Sequence, residues 1–192
     1  RSRRSWAIWG GDSAQYILLA RSLATGHGYH ELWTPGGPAH AFYPPLFPAF
    51  LVPAELLGLG NFLAHHLIVV LCALGCLALT ALLFRPHLGE GGATVAAALL
   101  AVSTFFVMSL LRVLSEVPFL LLTLLAFLAL QRFRRTGAAG HAFAAGDAVA
   151  AAWLTRSAGV ALFVAVVPFV LLRPGLAAGR RALAAALFLG EV

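Results

Sequence analysis

The sequence predicts an all-α fold, a polytopic bundle of transmembrane helices, from its composition, its apolar runs and its arginine distribution. Of its 192 residues, 61% are hydrophobic and 10% are charged, and the mean hydropathy is +0.91. Soluble domains carry about 25% charged residues, so this composition is typical of a membrane protein. The net charge of +6 comes from thirteen Arg and no Lys. Cytoplasmic loops of membrane proteins collect such an excess, so it does not call for a nucleic-acid partner.

Charged residues divide the apolar sequence into runs long enough to cross a bilayer, which takes about 20 residues. Residues 142–172 are long enough for two short passes, broken near 155–159. Another apolar run begins at Ala182 and stops in mid-helix at Val192, so we expect a fragment of a longer chain. We therefore expect a helical bundle over 61–192, whose first spans are 61–84, closed by Arg85-Pro86, 93–111, closed by Arg112, and 114–131, closed by Arg132.

The arginines also orient these spans. If Arg85 faces the cytoplasm, alternation places seven of the nine arginines after residue 60 on the inside, and only Arg112 and Arg156 outside. This distribution follows the positive-inside rule. It predicts a multi-pass membrane protein with residues 1–60 as an external segment.

The external segment has an ordered pattern. Residues 13–25 show helical periodicity, with Tyr16, Leu19, Ala20 and Leu23 on one face, and Gly26 is placed to end the helix. We expect an amphipathic juxtamembrane helix there. A loop rich in Gly, Pro and His follows, and its "YPPLFP" holds the chain extended, with Pro48 opening the next helix at its first position. An ordered external first loop is a suitable place for a site.

Asp12 is the lone acid ahead of this helix, and two interpretations fit it. Asp12 with Gln15 three residues later resembles a capping box. Asp12 is alternatively a general base that takes a proton from an acceptor hydroxyl at the membrane boundary. The two are compatible, since a capping interaction fixes a carboxylate in space.

Two further charged positions interrupt apolar runs at the same predicted boundary. Arg112 and Glu116 are four residues apart and would form an ion pair if one helix contains both. Alternatively a helix restarts there, with Ser115 as its cap and Pro118 in its first turn. Arg156 either extends toward lipid headgroups or clamps an anion, because its guanidinium matches phosphate oxygens.

Metal and nucleotide chemistry find little support in the sequence. His27, His30, Glu31 and His40 lie in one loop, but their spacing fits no defined site. Ordinary loop polarity is the preferred interpretation, no metal ligand is assigned, and a divalent metal is left open as a cofactor. No Walker A, GxGxxG or HExxH pattern is present.

Four words of the sequence, in order, resemble the membrane-embedded glycosyltransferases of the GT-C class, and within it the dolichyl-phosphate-mannose–protein mannosyltransferase and aminoarabinose-transferase-like family. The four sequence segments that carry this resemblance are "GGDSAQYILLARSLATGHGY", "FYPPLFPAFL", "LSEVPFLLLTLLAFLAL" and "AAWLTRSAGVALFVAVVPFVLL". The resemblance implies a GT-C-like helical bundle whose first external loop carries the catalytic acid, here Asp12. It also implies a polyprenyl-phosphate sugar as donor, and transfer on the extracytoplasmic face of the plasma (inner) membrane. Residues matched to the donor phosphate and lipid are Arg156, Glu116 and Arg112, and those of the substrate loop are Tyr16, Tyr43, Pro44 and Pro45.

The chemistry implied by this resemblance is simple. A polyprenyl phosphate leaves as a stabilised anion, so one base and a cation at the phosphate suffice for inverting transfer to an acceptor hydroxyl. The acceptor, whether glycan, lipid or protein, is not indicated. Many relatives carry a second acid directly after the first, where this chain has Ser13. This departure leaves open a non-catalytic membrane subunit as one alternative. The other alternative is a transporter or lipid flippase that uses Glu116 and Arg156.

Overall fold

The structure, a computed structural model, describes residues 11–171 and residue 179, and the described part is helical as predicted. Arg173, Arg180, Arg181 and the apolar run from Ala182 lie outside the described residues. Among the described residues, two helices, Phe62–Val102 and Glu116–Thr136, are long and apolar enough to cross a membrane. The described helices are α1 (Gly11–Ala24), α2 (Leu46–Leu56), α3 (Phe62–Val102), α4 (Thr104–Leu110), α5 (Glu116–Thr136), α6 (Ala139–Thr155) and α7 (Gly159–Leu171).

The predicted juxtamembrane helix is present as α1. Three residues of its predicted apolar face, Tyr16, Leu19 and Ala20, are each at most 5% exposed, and the helix packs on α2. The fourth, Leu23, is only partly buried. The helix ends as expected at Gly26, whose φ is 77°, and the two turn hydrogen bonds that satisfy the last carbonyls are formed. The capping interpretation of Asp12 is wrong, because Gly11 and Asp12 are both helical and Asp12 therefore lies inside α1.

Two predicted boundaries differ around the first spans. The helix α3 continues through Arg85-Pro86 and is kinked at Gly89, whose φ of 69° and ψ of −178° are not helical. The predicted span 93–111 is interrupted at Ser103, where extended backbone separates α3 from α4. The apolar sequence around Ser103 contains no Gly, Pro or charge that would mark the break.

The other predicted breaks are confirmed. α5 restarts at Glu116 with Pro118 in its first turn, and it ends at Gly137, which has a φ of 71°. Residues 156–158 separate α6 from α7, within the predicted 155–159. The helix α2 begins at Leu46, so Pro48 is its third residue and not its first.

Buried residues form two clusters that share α5. One joins α5, α6 and α7 around Phe133, Val149 and Val166, and small residues such as Ala142 and Ala145 let these helices approach closely. The other contains residues from all five helices α1, α2, α3, α4 and α5, and is centred on Tyr16, Phe47 and Val69. The division of the chain at 60/61 into an external segment and a membrane bundle stays a prediction.

A partly buried group of polar contacts links α1 to α2 and α3. Arg21 Nε lies 3.1 Å from Glu55 Oε2, and an Nη2 hydrogen of Arg21 is donated to the Gly60 carbonyl at 3.1 Å. His65 is fully buried, and its Nε2 lies 3.2 Å from Glu55 Oε1, an electrostatic contact without hydrogen-bond geometry. A buried carboxylate needs such partners, so this cluster fixes the helix that carries Asp12.

Candidate active site

One cavity of about 470 Å³ gathers most of the residues that the sequence singled out. It lies where the start of α1, the end of the α1–α2 loop, the start of α5 and the α6–α7 turn meet. Its lining residues are Asp12, Tyr16, Phe42, Tyr43, Pro44, Leu114, Ser115, Glu116, Thr155, Arg156 and Ser157. Asp12, Glu116 and Arg156, distant in the sequence, thus face a common space.

Asp12 is exposed to this cavity and bound by one tyrosine. The Tyr43 hydroxyl donates a hydrogen bond of 2.8 Å to Asp12 Oδ1. Burial raises the pKa of Tyr43 well above its usual value, and the hydrogen bond and negative charge of Asp12 raise it further. Tyr43 is therefore protonated and remains a donor at physiological pH. One carboxylate oxygen of Asp12 is thus held, and the second has no hydrogen-bond partner among the described residues.

The loop between α1 and α2 is ordered around Tyr43. The backbone N–H of Tyr43 donates to Nε2 of His40 at 2.9 Å, and the Tyr29 hydroxyl donates to the Tyr43 carbonyl at 2.9 Å. Because Nε2 of His40 accepts this hydrogen bond, it carries no hydrogen itself. The ring hydrogen is therefore on Nδ1, which donates to Glu31 Oε1 at 3.0 Å. Hydrogen bonds from Thr34 and His40 lower the pKa of Glu31.

The residues considered for a loop metal site are thus engaged in loop structure. His30 Nδ1 donates to the Gly37 carbonyl at 2.7 Å, and His40 and Glu31 bind each other. His27 Nδ1 lies 2.8 Å from the Thr25 hydroxyl. Within residues 11–171, no three His, Cys, Asp or Glu side chains converge as a metal-binding set.

A second tyrosine connects α1 to α5. The Tyr16 hydroxyl and the Ser115 hydroxyl lie 3.1 Å apart in a buried hydrogen bond. Ser115 is the N-cap residue of α5, as predicted, but its side chain makes no capping hydrogen bond. Burial is the main cause of a raised pKa for Tyr16, which keeps this hydroxyl protonated as well. The bond holds the start of α1 against the start of α5.

The predicted cation of the site is paired with the predicted acid of α5. Nη1 of Arg156 lies 2.7 Å from Oε1 of Glu116. Arg156 is the residue at which α6 ends, in an extended conformation, and its side chain is 40% exposed. Oε2 of Glu116 is buried and has no hydrogen-bond partner among the described residues.

Two candidate residues lie apart from this group. The alternative ion pair between Arg112 and Glu116 is wrong, because Glu116 binds Arg156. In addition, a new helix starts at Glu116, so one helix does not contain both Arg112 and Glu116. Arg112 is exposed and does not line the cavity. Pro45 does not line it either, and instead precedes the first turn of α2.

A second cavity, which is smaller and apolar, adjoins the first one. It has a volume of about 330 Å³ and shares Glu116 and Arg156 with the larger cavity. Its other walls come from the break between α3 and α4 and from α5: Leu100, Ser103, Phe105, Phe106, Ser109, Val117, Phe119 and Leu120. The ion pair thus stands between a polar space and an apolar one.

The sequence of this protein matches the family model of dolichyl-phosphate-mannose-protein mannosyltransferases over residues 43–189. The chain belongs to this family. No curated protein and no solved structure gives a significant match. In this mannosyltransferase family member, the matched range contains Tyr43, Glu116 and Arg156, whereas α1 with Asp12 precedes it. Family membership makes the chain a membrane protein and a glycosyltransferase of the kind that uses polyprenyl-phosphate sugars.

Sequence reasoning missed several features of this mannosyltransferase-family site. Ser115 appeared as a cap and not as the partner of Tyr16, and Phe42, Thr155 and Ser157 were not singled out. The buried Glu55 was missed too, although a lone acid within the apolar "LFPAFLVPAEL" is the kind of signal that marks a buried ion pair.

Proposed function

We propose that this chain forms the catalytic part of an inverting glycosyltransferase that moves a sugar from a polyprenyl phosphate to an acceptor hydroxyl on the extracytoplasmic face. The observation that carries the proposal is the convergence of Asp12, Glu116 and Arg156 on one cavity next to an apolar one. A base, an anion site and a lipid groove are the parts that such a transfer requires.

In this proposal Asp12 acts as the general base. It is exposed to the cavity, and only its Oδ1 is occupied by Tyr43 among the contacts of the described residues. As the acceptor oxygen attacks the anomeric carbon, Oδ2 takes the acceptor proton and the bond from that carbon to the phosphate oxygen breaks. The acceptor approaches opposite the leaving phosphate, so the anomeric configuration inverts.

Arg156 binds the leaving phosphate. A guanidinium offers several N–H donors, so an Nη1 engaged with Glu116 still leaves donors for phosphate oxygens. The negative charge that develops on the leaving oxygen is stabilised by this cation, and no general acid is needed. The apolar cavity beside Arg156 would receive the first isoprene units of the lipid.

The test uses the complete protein, reconstituted in liposomes, with dolichyl-phosphate mannose as the donor probe. Donor binding and release of dolichyl phosphate are measured separately for Asp12→Asn and Arg156→Gln. We expect Asp12→Asn to bind the donor but lose at least about 100-fold in turnover, and Arg156→Gln to lose donor binding.

Wild-type turnover in Asp12→Asn contradicts the assignment of the base. The flippase alternative is tested in the same liposomes, because it requires lipid translocation by the wild-type protein without any cleavage of the donor. Arg112→Gln is the matched control for Arg156→Gln, since Arg112 is exposed outside the cavity.

A further inference from the structure

The hydrogen bond from the Tyr43 hydroxyl to Asp12 holds one of the two carboxylate oxygens of the proposed base. Asp12 lies in the exposed first turn of α1, where a short carboxylate side chain is otherwise free to change rotamer. A base works only when a lone pair points at the proton it removes. The Tyr43 hydroxyl, 2.8 Å from Oδ1, restricts that orientation.

We propose that Tyr43 is a positioning residue: its hydroxyl holds Oδ1 of Asp12, so that Oδ2 faces the acceptor hydroxyl. The inference rests on the proposed function, since it takes Asp12 to be the base. In the reaction Tyr43 keeps its proton throughout, and the acceptor proton goes to Oδ2.

Tyr43 is itself held on every side, as a positioning residue must be. Its ring packs against Tyr16 at 4.6 Å between centroids and is stacked on His40 at 5.3 Å. Its N–H is bound by His40 and its carbonyl by the Tyr29 hydroxyl. The ordering of this loop is thus completed before substrate arrives, which reduces the entropy lost in reaching the reactive geometry.

A purely structural role, in which the bond only anchors α1, is less well supported. α1 is already fixed by the buried Tyr16–Ser115 hydrogen bond and by the contacts of Arg21 with Glu55 and Gly60. The hydrogen bond between Tyr43 and Asp12 is, by comparison, exposed to solvent. Exposed contacts of this kind contribute little to stability, so its main effect is on the carboxylate.

The test is Tyr43→Phe in the complete protein, which keeps the ring and removes only the hydroxyl. With dolichyl-phosphate mannose as donor, we expect kcat to fall about 10- to 100-fold, the KM for the donor to change less than about twofold, and the melting temperature to be nearly unchanged. Tyr29→Phe is the matched control, because its hydroxyl binds the backbone carbonyls of Tyr43 and Pro44 and not Asp12. It should affect stability more than kcat.

A second measurement replaces the acceptor with azide, which carries no proton to remove. The kcat deficit of Tyr43→Phe should disappear with azide, because an oriented base is then not needed. A full kcat in Tyr43→Phe, a loss that appears in the donor KM and melting temperature, or an equal loss with azide each overturns the inference. If Asp12→Asn stays active, the proposed function fails; if Asp12→Asn is inactive and Tyr43→Phe is fully active, only this inference fails.

Discussion

Arg156 and Glu116 face each other across the site, with Nη1 of Arg156 2.7 Å from Oε1 of Glu116. Arg156 ends α6 and Glu116 begins α5, so the pair joins the ends of two helices that pack along their lengths. Both residues line the polar cavity and the apolar cavity. A phosphate held by Arg156 would therefore share the site with a carboxylate.

Neutralising Glu116 should separate donor binding from turnover. In Glu116→Gln, the competing negative charge is removed, and we expect donor affinity to rise about fivefold, equivalent to roughly 1 kcal/mol for a half-exposed pair. Turnover should fall, because Arg156 is no longer held in place. Isothermal titration with a non-transferable donor analogue and a kcat measurement check the two parts, and weaker donor binding would show that Glu116 supports Arg156 instead of competing with the phosphate.

The buried bond between Tyr16 and Ser115 should contribute to stability as a pair. Tyr16→Phe and Ser115→Ala should each lower the free energy of unfolding by about 1 kcal/mol, because each leaves a buried hydroxyl unpaired. A double-mutant cycle should give a coupling energy of similar size. The matched control pairs Tyr16→Phe with Thr123→Val, whose hydroxyl bonds back to Phe119 in its own helix; this pair should be additive, and additivity of the first pair would contradict the bond.

Gly159 permits the tight turn that places Arg156. A Cβ at Gly159 would lie 2.5 Å from the backbone N and Cα of Trp153, and the Gly159 N–H donates to the Arg156 carbonyl at 2.9 Å. Gly159→Ala must displace α7 and Arg156, so we expect a loss of about 3 kcal/mol and weaker donor binding. Gly140→Ala in α6, where a Cβ meets nothing within 4 Å, should be neutral or slightly stabilising. Thermal unfolding of both variants measures this difference in stability. Equal stability of the two variants would contradict the prediction.

The orientation predicted from the arginines can be tested by cysteine accessibility. In a variant with Cys72 and Cys76 replaced by Ala, Ser157→Cys should react with a membrane-impermeant maleimide on intact cells, because it lines the proposed external cavity. Thr136→Cys, at the other end of α5, should react only after the cells are permeabilised. The reverse pattern would place the site on the cytoplasmic face.

Elements with local signals were predictable from the sequence. The periodicity of residues 13–25 with Gly26 after it indicates α1, Pro118 after Glu116 indicates the restart of α5, and Arg156 within an apolar run indicates the break between α6 and α7. Each depends on neighbouring residues alone. The membrane-like composition likewise follows from the chain as a whole.

Features that depend on tertiary packing were not predictable. Glu116 could pair with Arg112, four residues away, or with Arg156, and only the packing of α5 against α6 decides. The break at Ser103 has no helix-breaking residue, and the kink lies at Gly89 and not at Arg85-Pro86. The bond from Tyr43 to Asp12 requires the folded loop, so the sequence indicated both residues without indicating their contact.

The most direct measurement of the central claim, that Asp12 is the base of an inverting transfer, is azide rescue of Asp12→Ala. The variant, in the complete protein, keeps the phosphate site at Arg156 but has no carboxylate at residue 12. With dolichyl-phosphate mannose we predict no transfer to hydroxyl acceptors, and formation of mannosyl azide of inverted anomeric configuration when azide is added. Transfer to hydroxyl acceptors at the wild-type rate, a product of retained configuration, or a variant that binds donor but stays inactive with azide would contradict the account.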